Sequence, residues 1–326
     1  MNKIFLPFLF FLILQSKIVY GNLIIDVGQI ENLTKAKGEL DIKSGVYKIS
    51  LPHNDFKVST RGVALTPALG LTSWASFKSI GSETEVMGDM ALLEDQVNPV
   101  MKVILDNGLN VTALHNHYLW EFSRLMFMHI EGRGNLKTLA TAVGKVFETM
   151  KKTSKGSTWL LSPPPLQAKK STFDPNSIAV ILDKKGIYKD GVYKVVWEKT
   201  TQMHGQEMGA SLGVNSWAAF AGTNKQAVVL GDIAMKEDEV QNVLKTLLKH
   251  DLFITSLHQH MMGEQPRIMF AHYIGRGPLM DLTKAIKEVI SQAQSSVPST
   301  TKILKDTHIP ESTEVTKRQL PTLHTQ

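Results

Sequence analysis

Three histidines and one glutamate recur in this sequence at one fixed spacing, and these residue types bind metal ions and transfer protons. The first set consists of His115, His117, Glu121 and His129. The second set repeats it 143 residues later, as His258, His260, Glu264 and His272. Identical internal spacing indicates that the two sets are copies of one site.

The order of the residues predicts how each set comes together. Side chains alternate along a strand, so His115 and His117 point to one face if residues 109–117 form a strand, with Val111 beside them. The short connection to the next strand favours an antiparallel neighbour, which brings His129 to the same face. We therefore expect the imidazole nitrogens of each set to lie within about 3–5 Å of one another.

Such a cluster has the donors that Zn²⁺, Fe²⁺, Mn²⁺ and Cu²⁺ prefer. The sequence predicts the six histidines as ligands of a divalent transition metal, with Glu121 and Glu264 as catalytic residues that move protons. The alternative is structural, because a histidine on an apolar strand is often a hydrogen-bonded core residue. Both sets persist although their neighbours differ, as Trp120 and Gly263 do, and this favours a metal or polar-ligand site.

Four charged residues near the sets are candidates for orienting them. Asp89 and Asp232 each follow a glycine in a predicted strand. A carboxylate there can fix the tautomer of a ligating imidazole, or it can simply end a strand. Arg124 and Arg267 are predicted either to contact the glutamate of their set or an anionic ligand, or to form structural ion pairs.

The repeat extends well beyond the histidines. Residues 70–77 (GLTSWASF) return as residues 213–220 (GVNSWAAF), and residues 86–89 (VMGD) return as residues 229–232 (VLGD), again 143 positions later. An ungapped match of this length predicts a tandem duplication. Periodicity predicts strands in the first copy over 46–51, 73–77, 85–92, 109–117 and 124–131, and helices over 30–37, 94–107 and 136–150.

Predicted strands and helices do not alternate strictly along the sequence, and this pattern predicts an α+β fold. We expect two similar domains, each a sheet backed by helices, packed with pseudo-twofold symmetry. The predicted boundaries are a signal peptide over 1–21, a first repeat over 22–150, a Pro-rich linker over 151–172, a second repeat over 173–293 and a disordered tail over 294–326.

The first residues are typical of a secretory signal peptide. Lys3 precedes an apolar run over residues 4–14, and a small residue, Gly21, follows. The run is shorter than the roughly 20 residues that span a bilayer, and no second long apolar stretch follows. The sequence therefore predicts a secreted or periplasmic protein without a transmembrane helix after the signal is removed.

Composition narrows the remaining classes. The chain has no cysteine, which rules out disulfides and a lipid-modified amino-terminal cysteine. The formal charge of +6 falls to +4 without Lys3 and Lys17, and its charges are interspersed, so we expect no nucleic-acid partner. A Gly-x-Ser-x-Gly motif and a phosphate-binding loop are also missing, which leaves a nucleophilic enzyme without support.

Four segments carry a family resemblance: residues 64–71 (ALTPALGL), 87–89 (MGD), 94–100 (EDQVNPV) and 111–117 (VTALHNH). In them the sequence resembles the LppY/LpqO family of bacterial envelope proteins, catalogued as a domain of unknown function. The resemblance covers both copies. It implies an exported protein of the bacterial envelope and names no reaction.

Three functions are compatible with these observations. The first is a metal-dependent enzyme, such as a hydrolase or lyase, in which the metal activates water or polarises a carbonyl. The second is a non-catalytic envelope protein that binds a metal or another small ligand. The third is a structural duplicate whose histidines form a buried network.

Overall fold

The computed structural model describes residues 25–153 and 165–294, called here the first and second half. The predicted signal peptide, residues 154–164 of the predicted linker and residues 295–326 of the predicted tail lie outside the described residues. Within the two halves, no helix has both the length and the apolar character that crossing a membrane requires.

The first half contains three α-helices and nine strands. The helices are α1 (Val27–Thr34), α2 (Val97–Asp106) and α3 (Leu136–Thr153). The strands are β1 (Gly38–Asp41), β2 (Val46–Pro52), β3 (Ser59–Thr60), β4 (Val63–Ala64), β5 (Thr72–Ile80), β6 (Glu83–Leu93), β7 (Asn110–His115), β8 (Glu121–Phe122) and β9 (Leu125–Gly134).

The second half contains three α-helices and eight strands. The helices are α4 (Pro175–Leu182), α5 (Val240–Lys249) and α6 (Leu279–Gln292). The strands are β10 (Ile187–Lys189), β11 (Val192–Glu198), β12 (Thr201–Met203), β13 (Gln206–Met208), β14 (Asn215–Gly222), β15 (Ala227–Lys236), β16 (Phe253–Gln259) and β17 (Ile268–Gly277).

The first helix lies earlier in the chain than periodicity predicts. It begins after Asp26, whose carboxylate accepts a hydrogen bond from the backbone N–H of Gln29 at 2.9 Å. It ends at Lys35, which adopts a left-handed conformation, while Gly38 already belongs to a strand. The helix predicted over 30–37 was therefore displaced, because the N-terminal cap outweighs the apolar pattern.

Twelve strands from both halves form one antiparallel sheet in the order β1-β2-β5-β6-β9-β7-β16-β17-β15-β14-β11-β10. The expectation of two separate sheets was wrong. If the halves formed separate sheets, β7 and β16 would be edge strands. Instead they pair with each other, and Leu114 lies opposite Leu257. This pairing satisfies backbone groups that two exposed edges would leave open.

All six helices contribute to one apolar core on one face of this sheet. Neighbouring helices contact in the order α1-α3-α2-α5-α6-α4, so α2 and α5 meet above the junction of the halves. Leu114 and Leu257 point into this core. Among the described residues, the opposite face is covered by two small sheets, β4-β3-β8 in the first half and β12-β13 in the second.

Side-chain amides of α2 and α5 reach across the junction. Asn98 accepts a hydrogen bond from the N–H of Ile254 at 2.8 Å and donates to its carbonyl at 3.2 Å. Gln241 does the same for Val111, at 3.0 and 2.9 Å. Val111 and Ile254 each precede a β-bulge, where the strand register shifts and backbone groups lose ladder partners.

We expect that Asn98→Ala and Gln241→Ala each lower the free energy of unfolding by about 1–3 kcal/mol, because each strips two partners from partly buried backbone groups. Denaturant titration of the metal-free protein measures this. Asn242→Ala on the same helix is the matched control, since Asn242 is exposed, and it should change the value by less than about 0.5 kcal/mol. Two single variants as stable as the wild type would show that these amides do not hold the junction.

Candidate metal centre

His115, His117 and His129 meet on the face of the sheet opposite the helices. Strands β7 and β9 are antiparallel neighbours, as predicted, and His115 lies opposite Phe127 while His129 lies opposite Ala113. The bulge in β7 corrects one detail: Val111, predicted on the histidine face, points into the helix-side core. Its extra residue reverses the alternation, so that Ala113 and His115 remain on the open face.

One ligand atom from each of His115, His117 and His129 lies within 4.8 Å of the others. The rings of His115 and His129 stack with 5.1 Å between centroids, and the ring of His117 is also 5.1 Å from that of His115. Two ligands of one tetrahedral ion are about 3–4 Å apart. Small side-chain rotations would therefore allow all three imidazoles to coordinate one ion.

An aspartate completes the first cluster. Asp89 lies on β6 directly opposite His129, and its Oδ2 atom is 3.9 Å from His117 Nε2 and 4.0 Å from His129 Nε2. The residue is buried, and its Oδ1 atom has no hydrogen-bond partner. A buried carboxylate oxygen without a partner is costly, and a cation at this position would offset that cost.

The second half repeats this arrangement. Ligand atoms of Asp232, His258 and His272 lie within 4.8 Å of one another. His260 Nε2 is 3.9 Å from Asp232 Oδ2, and His272 Nδ1 is 3.9 Å from Asp232 Oδ1. Asp232 is buried, and its Oδ1 has no hydrogen-bond partner. The two sites share one face of the sheet, because Leu114 and Leu257 beside them point to the other.

Apolar side chains support each cluster from the side of the small sheets. The ring of His117 stacks on Phe127 with 3.4 Å between centroids, and His260 stacks on Phe270 at 3.5 Å. Phe127 belongs to a small apolar cluster with Phe56 and Leu125. These contacts limit the rotation of His117 and His260, which lie at or beyond the ends of their strands.

Burial favours the uncharged form of the imidazoles of His115, His117 and His258. Burial, together with the neighbouring rings of His272 and His260, lowers the pKa of His258 to about 4. Burial also lowers the pKa of His115 and of His117. Burial raises the pKa of Asp232, against the effect of the nearby His272 and His260. A neutral imidazole is the form that coordinates a metal.

Of the two glutamates predicted as catalytic, Glu121 is the first residue of β8, and Glu264 lies in the loop after β16. Glu121 accepts a hydrogen bond from the amide of Asn116 at 3.4 Å. Glu264 is buried, and its Oε1 accepts from the N–H of Ile268 at 3.1 Å while its Oε2 has no hydrogen-bond partner. Neither carboxylate is in the groups of ligand atoms described above.

The two arginines do not pair with these glutamates. Arg124 Nε lies 4.0 Å from Glu94 Oε1, and Arg267 Nη1 lies 3.2 Å from Glu237 Oε1. The predicted contact with the glutamate of each set is therefore wrong, and the alternative of a structural ion pair describes both residues. The partners precede α2 and α5, so each pair ties a site loop to the start of a helix.

The sequence predicts that Asp89 and Asp232 orient the ligating imidazoles, and in the structure Asp232 belongs to a group of ligand atoms while Asp89 Oδ2 lies 3.9–4.0 Å from two imidazole nitrogens. One signal was available: each aspartate interrupts an apolar stretch, VMGDMALL or VLGDIAM, and is retained in both copies. Their other neighbours also went unnoticed. Trp74 lies opposite Asp89 on the neighbouring strand β5, and Lys48 Nζ is 4.2 Å from the centre of its ring. In the second half, Lys194 Nζ is 4.3 Å from the centre of the Trp217 ring.

Comparisons with known proteins identify a family and no activity. No curated protein matches the chain, and no solved structure matches it either. A family model described as Domain of Unknown Function (DUF1259) matches residues 28–149 and 176–292. That description does not include the LppY/LpqO name, which stays a resemblance. Since the two segments together cover more than half of the sequence, the chain belongs to the family described as Domain of Unknown Function (DUF1259), whose domain it carries twice.

Proposed function

We propose that this protein binds two divalent transition-metal ions, one in each half, each held by three histidines and one aspartate. One observation carries the proposal. In both halves a buried aspartate, one of whose carboxylate oxygens has no hydrogen-bond partner, lies 3.9–4.0 Å from two imidazole nitrogens. A purely structural network would satisfy that oxygen with a donor, since buried polar groups are nearly always hydrogen-bonded.

The donor set is compatible with Zn²⁺, Fe²⁺, Mn²⁺ or Cu²⁺, which all accept imidazole and carboxylate ligands. In each half the ligands come from one face of the sheet, and the side opposite them is open. The side chains of His117, His129, His260 and His272 are between 35% and 44% exposed. An ion held from one side would keep a coordination position for water or another ligand, as catalytic sites do.

A metal ion with an open coordination position fits two functions. In a hydrolase or lyase, bound metal would supply activated water or polarise a carbonyl, and Glu264, whose buried Oε2 has no hydrogen-bond partner, would be the candidate for moving a proton. In a non-catalytic envelope protein, the same position would hold a small ligand. We also propose that the predicted signal peptide directs export of the protein and that its location is secreted or periplasmic.

We also propose that the halves arose by tandem duplication and are related by a pseudo-twofold axis through the β7–β16 junction. From that junction outward the strand order is β7-β9-β6-β5-β2-β1 in one direction and β16-β17-β15-β14-β11-β10 in the other. The four strands nearest the junction in each half match under the 143-residue offset, and β2 and β11 match under an offset of 146 residues. The reciprocal amide contacts of Asn98 and Gln241 follow the same relation.

The test is metal content. Protein stripped with a chelator and dialysed against each candidate ion is expected to retain two equivalents per chain by elemental analysis. Metal that binds only the folded state should raise the unfolding free energy by about 2.7 kcal/mol per site at a free concentration 100 times Kd. Retention of less than one equivalent of every ion, or uptake unchanged in an Asp89→Ala/Asp232→Ala variant, would refute the proposal.

A further inference from the structure

The open face next to the two metal sites has different chemistry in the two halves. Strand positions that match under the 143-residue offset are polar in the first half and apolar in the second. The matched pairs are Ser76 and Ala219, Lys78 and Ala221, Glu85 and Val228, Asn110 and Phe253, and Glu131 and Ile274. Since the clusters themselves are alike, this difference concerns what lies beside them.

In the second half these apolar residues line a groove with a volume of about 580 Å³. Its lining also includes Leu230 and Leu166, together with two charged residues, Asp251 and Arg276. Phe253 is 56% exposed, which is unfavourable for so large an apolar side chain unless something covers it. The volume lies within the roughly 300–1,000 Å³ that small-molecule sites occupy.

The groove lies on the same face of the sheet as the second metal site, and residues of its lining are two positions from ligands of that site along two strands. Leu230 precedes Asp232 by two residues on β15, and Ile274 follows His272 by two residues on β17. Two residues along a strand return to the same face and span about 7 Å. A small molecule can therefore place one end at the Asp232 cluster and the rest of its length in the groove.

We propose that the second half binds a small amphipathic ligand, whose oxygen-bearing head group coordinates the metal and whose alkyl or acyl chain lies in the groove. This inference rests on the proposed metal binding. The first half does not take the same ligand, because Glu85 and Glu131 place carboxylates where the chain would lie. The proximity of an apolar groove to a set of metal ligands on the same face of the sheet favours a small molecule over a protein partner.

The probe is a series of alkyl hydroxamates, from acetohydroxamate to octanohydroxamate, titrated calorimetrically into protein loaded with Zn²⁺. We expect the affinity of one site per chain to rise roughly three- to fourfold with each methylene. The dependence should persist in a His115→Ala/His117→Ala variant, which lacks the first site. It should disappear in a His258→Ala/His260→Ala variant.

A double variant, Val228→Glu/Ile274→Glu, introduces the first-half residues into the groove. It is expected to abolish the dependence on chain length and to leave the metal content at two equivalents. Val180→Glu/Met280→Glu is the control, because it adds the same charge at exposed apolar residues of α4 and α6. This control should keep the wild-type dependence.

The outcomes separate the two proposals. Two equivalents of metal with affinities that do not depend on chain length would overturn the groove ligand and leave metal binding intact. The groove ligand is also overturned if long chains bind equally well in the presence of a chelator, or if Val228→Glu/Ile274→Glu changes the oligomeric state, which would make the groove an interface between copies. If no metal binds, the proposed function fails and this inference fails with it.

Discussion

Replacing His258 and His260 together with alanine is expected to lower the metal content from two ions to one per chain. The change removes two of the four donors of the second site, which are His258, His260, His272 and Asp232. Loss of a group that only orients a metal ligand already weakens binding about 10- to 100-fold. Loss of two ligands should therefore weaken the second site by more than about 100-fold, below detection at micromolar metal.

The fold should tolerate this change. Both imidazoles lie on the open face, and His260 is exposed at the end of its strand. We expect the unfolding free energy of the metal-free variant to stay within about 0.5 kcal/mol of the wild-type value, the range of ordinary surface substitutions. Elemental analysis and denaturant titration of the same preparation measure both quantities.

Two controls make the result specific. The His115→Ala/His117→Ala variant should lose the other ion and keep the one near Asp232. His204→Asn removes an exposed histidine outside both clusters, at a position with a φ of 53° that asparagine tolerates, and should keep both ions. If the His258→Ala/His260→Ala protein still holds two ions, its histidines are not ligands and the clusters are structural.

Much of the site geometry follows from local sequence. The short loop between His117 and the strand that carries His129 is enough to predict an antiparallel pair with the three rings on one face. The structure confirms that pairing and brings the imidazoles together. Spacing predicts such contacts well because neighbouring strands joined by a short loop leave few arrangements to choose from.

What the sequence did not reveal depends on distant pairing. Asp89 joins the cluster because β6 is the other neighbour of β9, and no local pattern states that order. The bulge that turns Val111 away from the histidines depends on the register of the partner strand. The fusion of two sheets into one depends on which edge strands meet, and β7 and β16 show no unusual composition that would predict it.

The second large effect concerns a buried ion pair in the second half. Lys199 Nζ donates to Glu239 Oε2 and to the carbonyl of Ala293, both at 2.6 Å. Glu239 also accepts from the N–H of Lys236 at 2.7 Å. The side chains are 15% and 2% exposed, and burial lowers the pKa of the Lys199 ammonium. Each charge depends on the other for compensation.

In the first half, uncharged side chains make the corresponding hydrogen bonds. Gln96, 143 residues before Glu239, accepts from the N–H of Leu93 and donates to the carbonyl of Met150, both at 2.9 Å. His53, which follows β2 as Lys199 follows β11, occupies the position that matches Lys199. Its Nε2 is hydrogen-bonded to the Ser73 hydroxyl at 2.8 Å. Burial lowers its pKa to about 4, so this imidazole is uncharged at neutral pH. An amide can donate to the helix-end carbonyl, whereas a carboxylate needs the lysine to do so.

Lys199→Met is therefore expected to lower the unfolding free energy by about 3–5 kcal/mol, because it leaves the Glu239 carboxylate buried without a cation and the Ala293 carbonyl without a donor. The double variant Lys199→His/Glu239→Gln introduces the first-half pair and should recover most of that loss. Denaturant titration of metal-free protein, with the two singles and the double, gives the coupling energy of the pair. The reverse exchange, His53→Lys/Gln96→Glu, tests the same idea in the first half. A cost below about 1 kcal/mol for Lys199→Met, or a double variant no more stable than the single, would show that Glu239 finds compensation elsewhere.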